Sequence, residues 1–219
     1  MPDSRFSIRE ASTHLDDANL LVAIFDSTIP FLETTGNGEQ WGNVLFSAKE
    51  GFLQSTQDDV AQSERYARTG EGEAKRVFIA EIEDEQGDAN TSNLARRHDE
   101  GGRTYLPVAS VMIRDNHFAQ HIRDNQCLKE WTSTAIAEQS FIYLDVLIVD
   151  FRTGQGRTGA GAALVEHVKE YAKARGHKAI YVDCWVGGTQ KLLRYVVTKS
   201  SHDRPSYCLF LVCLLILNT

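Results

Sequence analysis

The chain has 219 residues, 42% of them hydrophobic and 24% charged, the balance of an ordinary globular domain with apolar material for one core. A formal net charge of -7 argues against general nucleic-acid binding, which needs a basic face. The first residues, MPDSRFSIREAST, lack the apolar stretch of a secretory leader, and no run reaches the ~20 apolar residues of a membrane-spanning helix.

In chain order, RFSIREAS alternates Phe6 and Ile8 and predicts a strand. Leu15, Leu20, Ile24 and Phe25 then recur near helical spacing until Pro30, where the helix should be disturbed. A second amphipathic helix is expected over residues 39–67, from Trp41, Val44, Leu45, Phe52 and Leu53. KRVFIAEIED predicts a strand through Val77 and Ile79, and LPVASVMIR another. The polar, aperiodic segment of about 84–104 between them is expected to be a flexible hairpin loop. An insert of about 115–140 has room for a short helix or two. FIYLDVLIVD is the strongest strand and AGAALVEHVKEYAKA the clearest helix, with Ala160, Leu164, Val168 and Tyr171 on one stripe. Thr158 suits its N-cap and Gly176 its stop. KAIYVDCW gives a further strand and TQKLLRYV a short last helix. Residues 207–217, YCLFLVCLLIL, read as a buried strand or an apolar tail. This order predicts an α/β fold with a mixed central sheet and helices on both faces. The four cysteines, Cys127, Cys184, Cys208 and Cys213, show no C-x-x-C spacing, so reduced thiols and a cytoplasmic location are expected.

Between the strongest strand and the clearest helix lies DFRTGQGRTGAGAALV, a glycine-rich loop feeding a helix N-terminus. Such a junction suits phosphate, because the first helical N–H groups lack partners and the helix dipole adds partial positive charge. Gly154, Gly156 and Gly159 satisfy G-x-G-x-x-G, the fingerprint of a dinucleotide-dependent oxidoreductase. That fingerprint wants its first glycine at the strand end, yet four residues, DFRT, intervene. A Walker loop is excluded, since Ala160 stands where its lysine would be.

In another register the same stretch resembles the GNAT superfamily of acyl-CoA-dependent N-acetyltransferases. The family pattern is Q/R-x-x-G-x-G/A followed, two residues on, by an apolar pair. Gly159, Ala160 and Gly161, then Leu164 and Val165, fit it; Gly156 departs from it, and the loop from Val149 to Gly159 is about two residues longer than the family's. The resemblance follows the order of elements over residues 1–195 and is sharp from Leu144 to Tyr195. It implies acetyl-CoA as acyl-donor cosubstrate and a small-molecule or peptide amine as acceptor. It further implies backbone groups of Ile148 and Val149 beside the pantetheine arm, in a gap where this strand splays from the next. Arg152, Gly154, Gly156, Arg157, Thr158, Gly159, Ala160, Gly161 and Ala162 would face the diphosphate.

Acetyl transfer needs a base to free the amine lone pair and an acid for the departing thiolate. Asp145, a carboxylate inside an apolar strand, is the candidate base or else a structural partner of a nearby Arg or Lys; Asp183 is a weaker candidate. By the resemblance Tyr195 is the candidate acid. No Gly-Phe pair follows it, the family's final hairpin is not recognisable, and residues 196–219 form an atypical apolar tail, so a degenerate acyl-CoA binder is the alternative. His117 and His121, four apart, lack a third metal ligand, and no metal is expected.

Overall fold

A computed structural model describes residues 5–84, 91–185 and 210–216. The expected last helix and Tyr195 lie outside the described residues. Strand β1 (Phe6–Glu10) leads into helix α1 (Asp17–Thr34), whose Leu21, Ile24, Phe25 and Ile29 are buried. The helix runs through Pro30 instead of breaking there. Ser27 and Thr28 hydroxyls donate to the Ile24 and Phe25 carbonyls at 2.7 and 2.6 Å in the preceding turn. Asp26 and Pro30 line an open groove of about 540 Å³, which leaves room for the proline ring and brings water to the adjoining backbone.

The second expected helix is shorter than its apolar pattern. Gly42 and Gly51, each at φ +73°, interrupt it, so α2 spans only Phe52–Thr69. Trp41 and Phe46 still pack on Phe25, at ring separations of 5.6 and 4.8 Å, whereas Val44 and Leu45 stay exposed.

The remaining strands are β2 (Lys75–Glu83), β3 (Arg97–His98), β4 (Thr104–Asp115), β5 (Phe141–Val149), β6 (Ala179–Trp185) and β7 (Phe210–Ile216). Their order is β1-β2-β4-β5-β6-β7, with β3 paired to β4. All described pairings are antiparallel except β5 with β6. The apolar run near the end of the chain thus supplies β7, antiparallel to β6. Between β2 and β4 the described part of the polar segment is anchored rather than featureless: Arg96 Nε donates to Asp84 at 2.8 Å and Thr91 is buried. The insert after β4 forms α3 (Gln120–Arg123) and α4 (Lys129–Glu138).

Helix α5 (Ala160–Ala174) covers one face of the sheet, its Leu164 and Val168 against Phe78, Val111, Ile113, Ile142 and Leu144. Helices α1 and α2 cover the other face over Val77, Ile79, Met112 and Ile148. Phe118 and Trp131, from the insert, cap Phe141 and Tyr143. The N-cap of α5 is Gly159 at φ +89° and not Thr158, whose hydroxyl is turned to Gln155 Oε1 at 3.2 Å. Gly176 ends the helix as expected: at φ +76° it donates to the Lys173 carbonyl, while His177 donates to Ala172.

A charged chain inside the fold ties three strands to α1. Glu81 is fully buried and accepts from Arg9 Nε at 2.6 Å and Arg97 Nη2 at 2.6 Å. Arg9 continues to Asp17, donating at 2.5 and 2.8 Å. Removing one member of such a set leaves the others charged and uncompensated, at a cost of about 3–5 kcal/mol. Glu81→Ala should therefore lower unfolding free energy by about that amount, measured by urea denaturation. A loss near zero would show that the two arginines find other partners.

Candidate functional site

Strands β5 and β6 run together for only four residues. The parallel pairs are Phe141↔Ala179, Ile142↔Ile180, Tyr143↔Tyr181 and Leu144↔Val182, after which the two strands continue without pairing to each other. The cause lies on the far side of β5. Ile113 of β4 pairs with Leu144 but Met112 pairs with Val146, so Asp145 is the extra residue of a bulge, and a bulge bends its strand. Beyond it, the Asp150 N–H donates to the Val108 carbonyl at 2.8 Å. Alternation along the strand then turns the Ile148 amide groups toward β4 and those of Leu147 and Val149 toward the side β6 has left. Of the two expected backbone contacts, Val149 faces the gap; Ile148 faces β4 and its side chain packs under α1.

Residues 150–159 connect this gap to α5. Asp150 is buried and organises the turn: its carboxylate accepts from Arg152 Nε at 2.8 Å and Nη2 at 2.6 Å, and from the Arg152 N–H at 3.0 Å. The Arg152 guanidinium is therefore already neutralised. The Phe151 N–H donates to Ser27 Oγ at 3.1 Å, and its ring stacks on Phe31 at 3.8 Å, fastening the loop to α1. Arg157 lies over the Phe151 ring at 4.7 Å and donates to the Gly154 carbonyl.

Each glycine here has its own reason. Gly154 sits at φ 53°, ψ -125°, a conformation that residues with a Cβ avoid. Gly156 has ordinary backbone, but a Cβ there would stand 2.9 Å from Ile82 Cδ1, so its bareness lets the loop lie on the sheet. Gly159 takes the left-handed conformation that starts α5, and among the described residues no side chain caps that helix. Its first N–H groups, at Ala160, Gly161 and Ala162, thus have no intrahelical acceptor. Ala160 is buried, a Cβ on Gly161 would meet only Leu147 Cδ2 at 3.9 Å, and Ala162 is exposed. A cation that sequence reasoning missed joins them: Arg5 Nη2 donates to the Thr158 carbonyl at 3.0 Å, across 153 residues of chain. No local pattern could have announced it.

At the mouth of the gap lies a polar cluster. Asp145 accepts from Arg114 Nε at 2.7 Å, and Arg114 also bonds Glu73. Asp183, the first β6 residue past the last parallel pair, accepts from the Tyr143 hydroxyl and lies 3.3 Å from His121 Nε2. The hydrogen bond to Asp183 is the main influence raising the His121 pKa; burial is what lowers that of His117. Burial and the Asp183 charge push Tyr143 far above a free phenol, so its hydroxyl stays a donor. The sequence pointed to the two carboxylates; Arg114, Tyr143 and the orientation of His121 come from the fold.

No family model and no curated protein matches the chain. Solved structures do. The PaiA N-acetyltransferase of Thermoplasma acidophilum, in complex with coenzyme A, aligns at TM-score 0.56 and 9% identity, over 96% of this chain and 98% of its own. A putative GNAT-family acetyltransferase of Desulfovibrio desulfuricans aligns at 0.54 and 10%, over 97% and 99%. FdhC, a nucleotide-linked sugar GNAT, aligns at 0.56 and 10%, over 97% and 86%. A dinucleotide-binding sheet is built from parallel strands, which here, among the described residues, are only β5 and β6. The chain has the fold of the GNAT acetyltransferases.

Proposed function

We propose that the chain is an acyl-CoA-dependent N-acetyltransferase that moves acetyl from acetyl-CoA to a primary amine by direct attack in a ternary complex. The observation that carries this reading is continuity. The gap opened by the Asp145 bulge leads along the edge amides of Leu147 and Val149 to a helix start that no described side chain caps. The amides of pantetheine would pair with that edge, and its diphosphate would meet the N–H groups of Ala160, Gly161 and Ala162, near Arg157 and Arg5. PaiA, solved with coenzyme A, shares this fold.

The chemistry asks little of a nucleophile on the protein, because the amine itself attacks. It asks for a neutral amine, and so for a proton acceptor near the thioester. Asp145 and Asp183 flank the gap, but Asp145 holds a salt bridge to Arg114 that fits a positioning carboxylate better than a proton acceptor. Tyr195 is proposed, from the family resemblance alone, to protonate the departing thiolate. The acceptor is a small-molecule or peptide amine. Among the described residues no helix is long and apolar enough to cross a membrane.

Two measurements test the reading. Calorimetry should register one site for coenzyme A and none for NAD; the absence of heat with coenzyme A would remove the proposal. Ala162→Glu places a carboxylate on the first turn of α5, where the helix dipole favours it but a diphosphate does not. The variant should melt no lower than the parent and bind coenzyme A at least about tenfold more weakly, a change of about 1.4 kcal/mol. Equal affinity in both proteins would show that the helix start is not the binding surface.

A further inference from the structure

Resting on the acyl-transfer reading, we propose that His121 is the base that takes the proton from the acceptor's ammonium group, with Asp183 as the residue that positions it. The argument begins with place. Asp183 is where β6 leaves β5, so the imidazole beside it stands at the mouth of the gap into which the thioester would project. Asp183 holds the ring by Nε2 at 3.3 Å and is itself held by the Tyr143 hydroxyl from β5, beneath it in the sheet.

The two carboxylates at this mouth have different partners. Asp145 is bound to a permanent cation, Arg114, which Glu73 shares. Asp183 is bound to a neutral hydroxyl and to a ring that titrates near neutrality. The second pair holds an imidazole, whose ordinary titration lies near neutrality, so it can take up a proton and release it again within the working pH range. His121 is also 49% exposed, so it can return that proton to water. The charged and titratable groups bearing on it are Asp183 from β6, Asp145 from β5 and Arg114 from β4. His117 and Arg123 flank it in the insert, with Glu73 behind Arg114. The hydrogen bond and charge of Asp183 stabilise the imidazolium that forms when the proton arrives.

The protons balance as follows. One N–H bond of the ammonium breaks and its proton passes to the imidazole of His121. The freed lone pair forms the bond to the thioester carbonyl carbon, and the C–S bond breaks. The departing sulfur takes its proton from Tyr195, the proposed acid, a second nitrogen proton replaces that one, and the third remains on the amide. The imidazolium then gives its proton to solvent.

The test is thiol release from acetyl-CoA with spermidine, 2-phenylethylamine, kanamycin and a peptide bearing a free amino terminus, from pH 5.5 to 9.5. The parent should gain kcat/KM with rising pH through one deprotonation. His121→Gln should lose about 10²–10³ in kcat and lose that rise, while its coenzyme A heat and melting temperature stay with the parent's. Asp183→Asn should keep the rise but move its midpoint down, and should move the His121 Cε1–H titration seen by NMR in the same direction. A His121→Gln variant within twofold of the parent, a rise that survives it, or an unmoved NMR midpoint in Asp183→Asn would overturn the proposal alone. A parent that binds coenzyme A but acetylates no amine would overturn it together with the transferase reading, and a parent without coenzyme A heat would remove the cofactor site as well.

Discussion

The arrangement depends on a single mismatch in strand pairing. One extra residue in β5, Asp145, lets that strand follow β4 on one side while it parts from β6 on the other. Without the bulge, β5 and β6 could pair along their length, and their edge amides would satisfy each other. With it, Leu147 and Val149 turn their N–H and C=O groups toward an opening at the centre of an otherwise well-buried sheet. Exposed edge groups in such a place are costly unless something else hydrogen-bonds to them, which is why the opening reads as a ligand passage.

The same bulge sets the electrostatics of the mouth. It shifts the alternation of β5, so that Ile142 and Leu144 lie under α5, but beyond the extra residue Val146 and Ile148 lie under α1 and α2. Asp145 is left at the shift, within reach of Arg114 on the neighbouring strand. Asp183, across the opening, is met among the described residues by a phenol and an imidazole and by no arginine. Two aspartates that look alike in sequence are therefore given a fixed and a titratable partner.

Much of this was legible beforehand, for identifiable reasons. Strands and α5 were readable because their apolar periods are clean, and the stop at Gly176 because a left-handed residue there has a distinct chemistry. The passage through Pro30 was not, because its tolerance rests on an open groove beside it, which no local pattern announces. The second helix was overextended because Trp41 joins the same core from outside any α-helix, and Val44 and Leu45, which stay exposed, fall in line with it by spacing alone. At the loop, Arg152 was read as a cation for phosphate from its type and position; the Asp150 carboxylate, two residues away, holds it in the turn. Arg5 meets Thr158 and His121 meets Asp183 across distances that adjacency in the chain does not encode.

The internal fastening of that loop bears on how it would respond to its surroundings. Asp150 cancels Arg152, Phe151 is locked between Phe31 and Arg157, and the Phe151 N–H is spent on Ser27. What remains to greet an anion is mainly oriented peptide groups at close range, with two arginines rather than a dense basic patch. Attraction between mobile surface charges fades as ions accumulate around them, over about 8–10 Å near physiological ionic strength. Fixed dipoles in direct contact are far less open to that shielding. An anion seated on this helix start would consequently lose less of its hold to added salt than one held by mobile surface cations alone, while the shares from the helix dipole and the two arginines would still weaken.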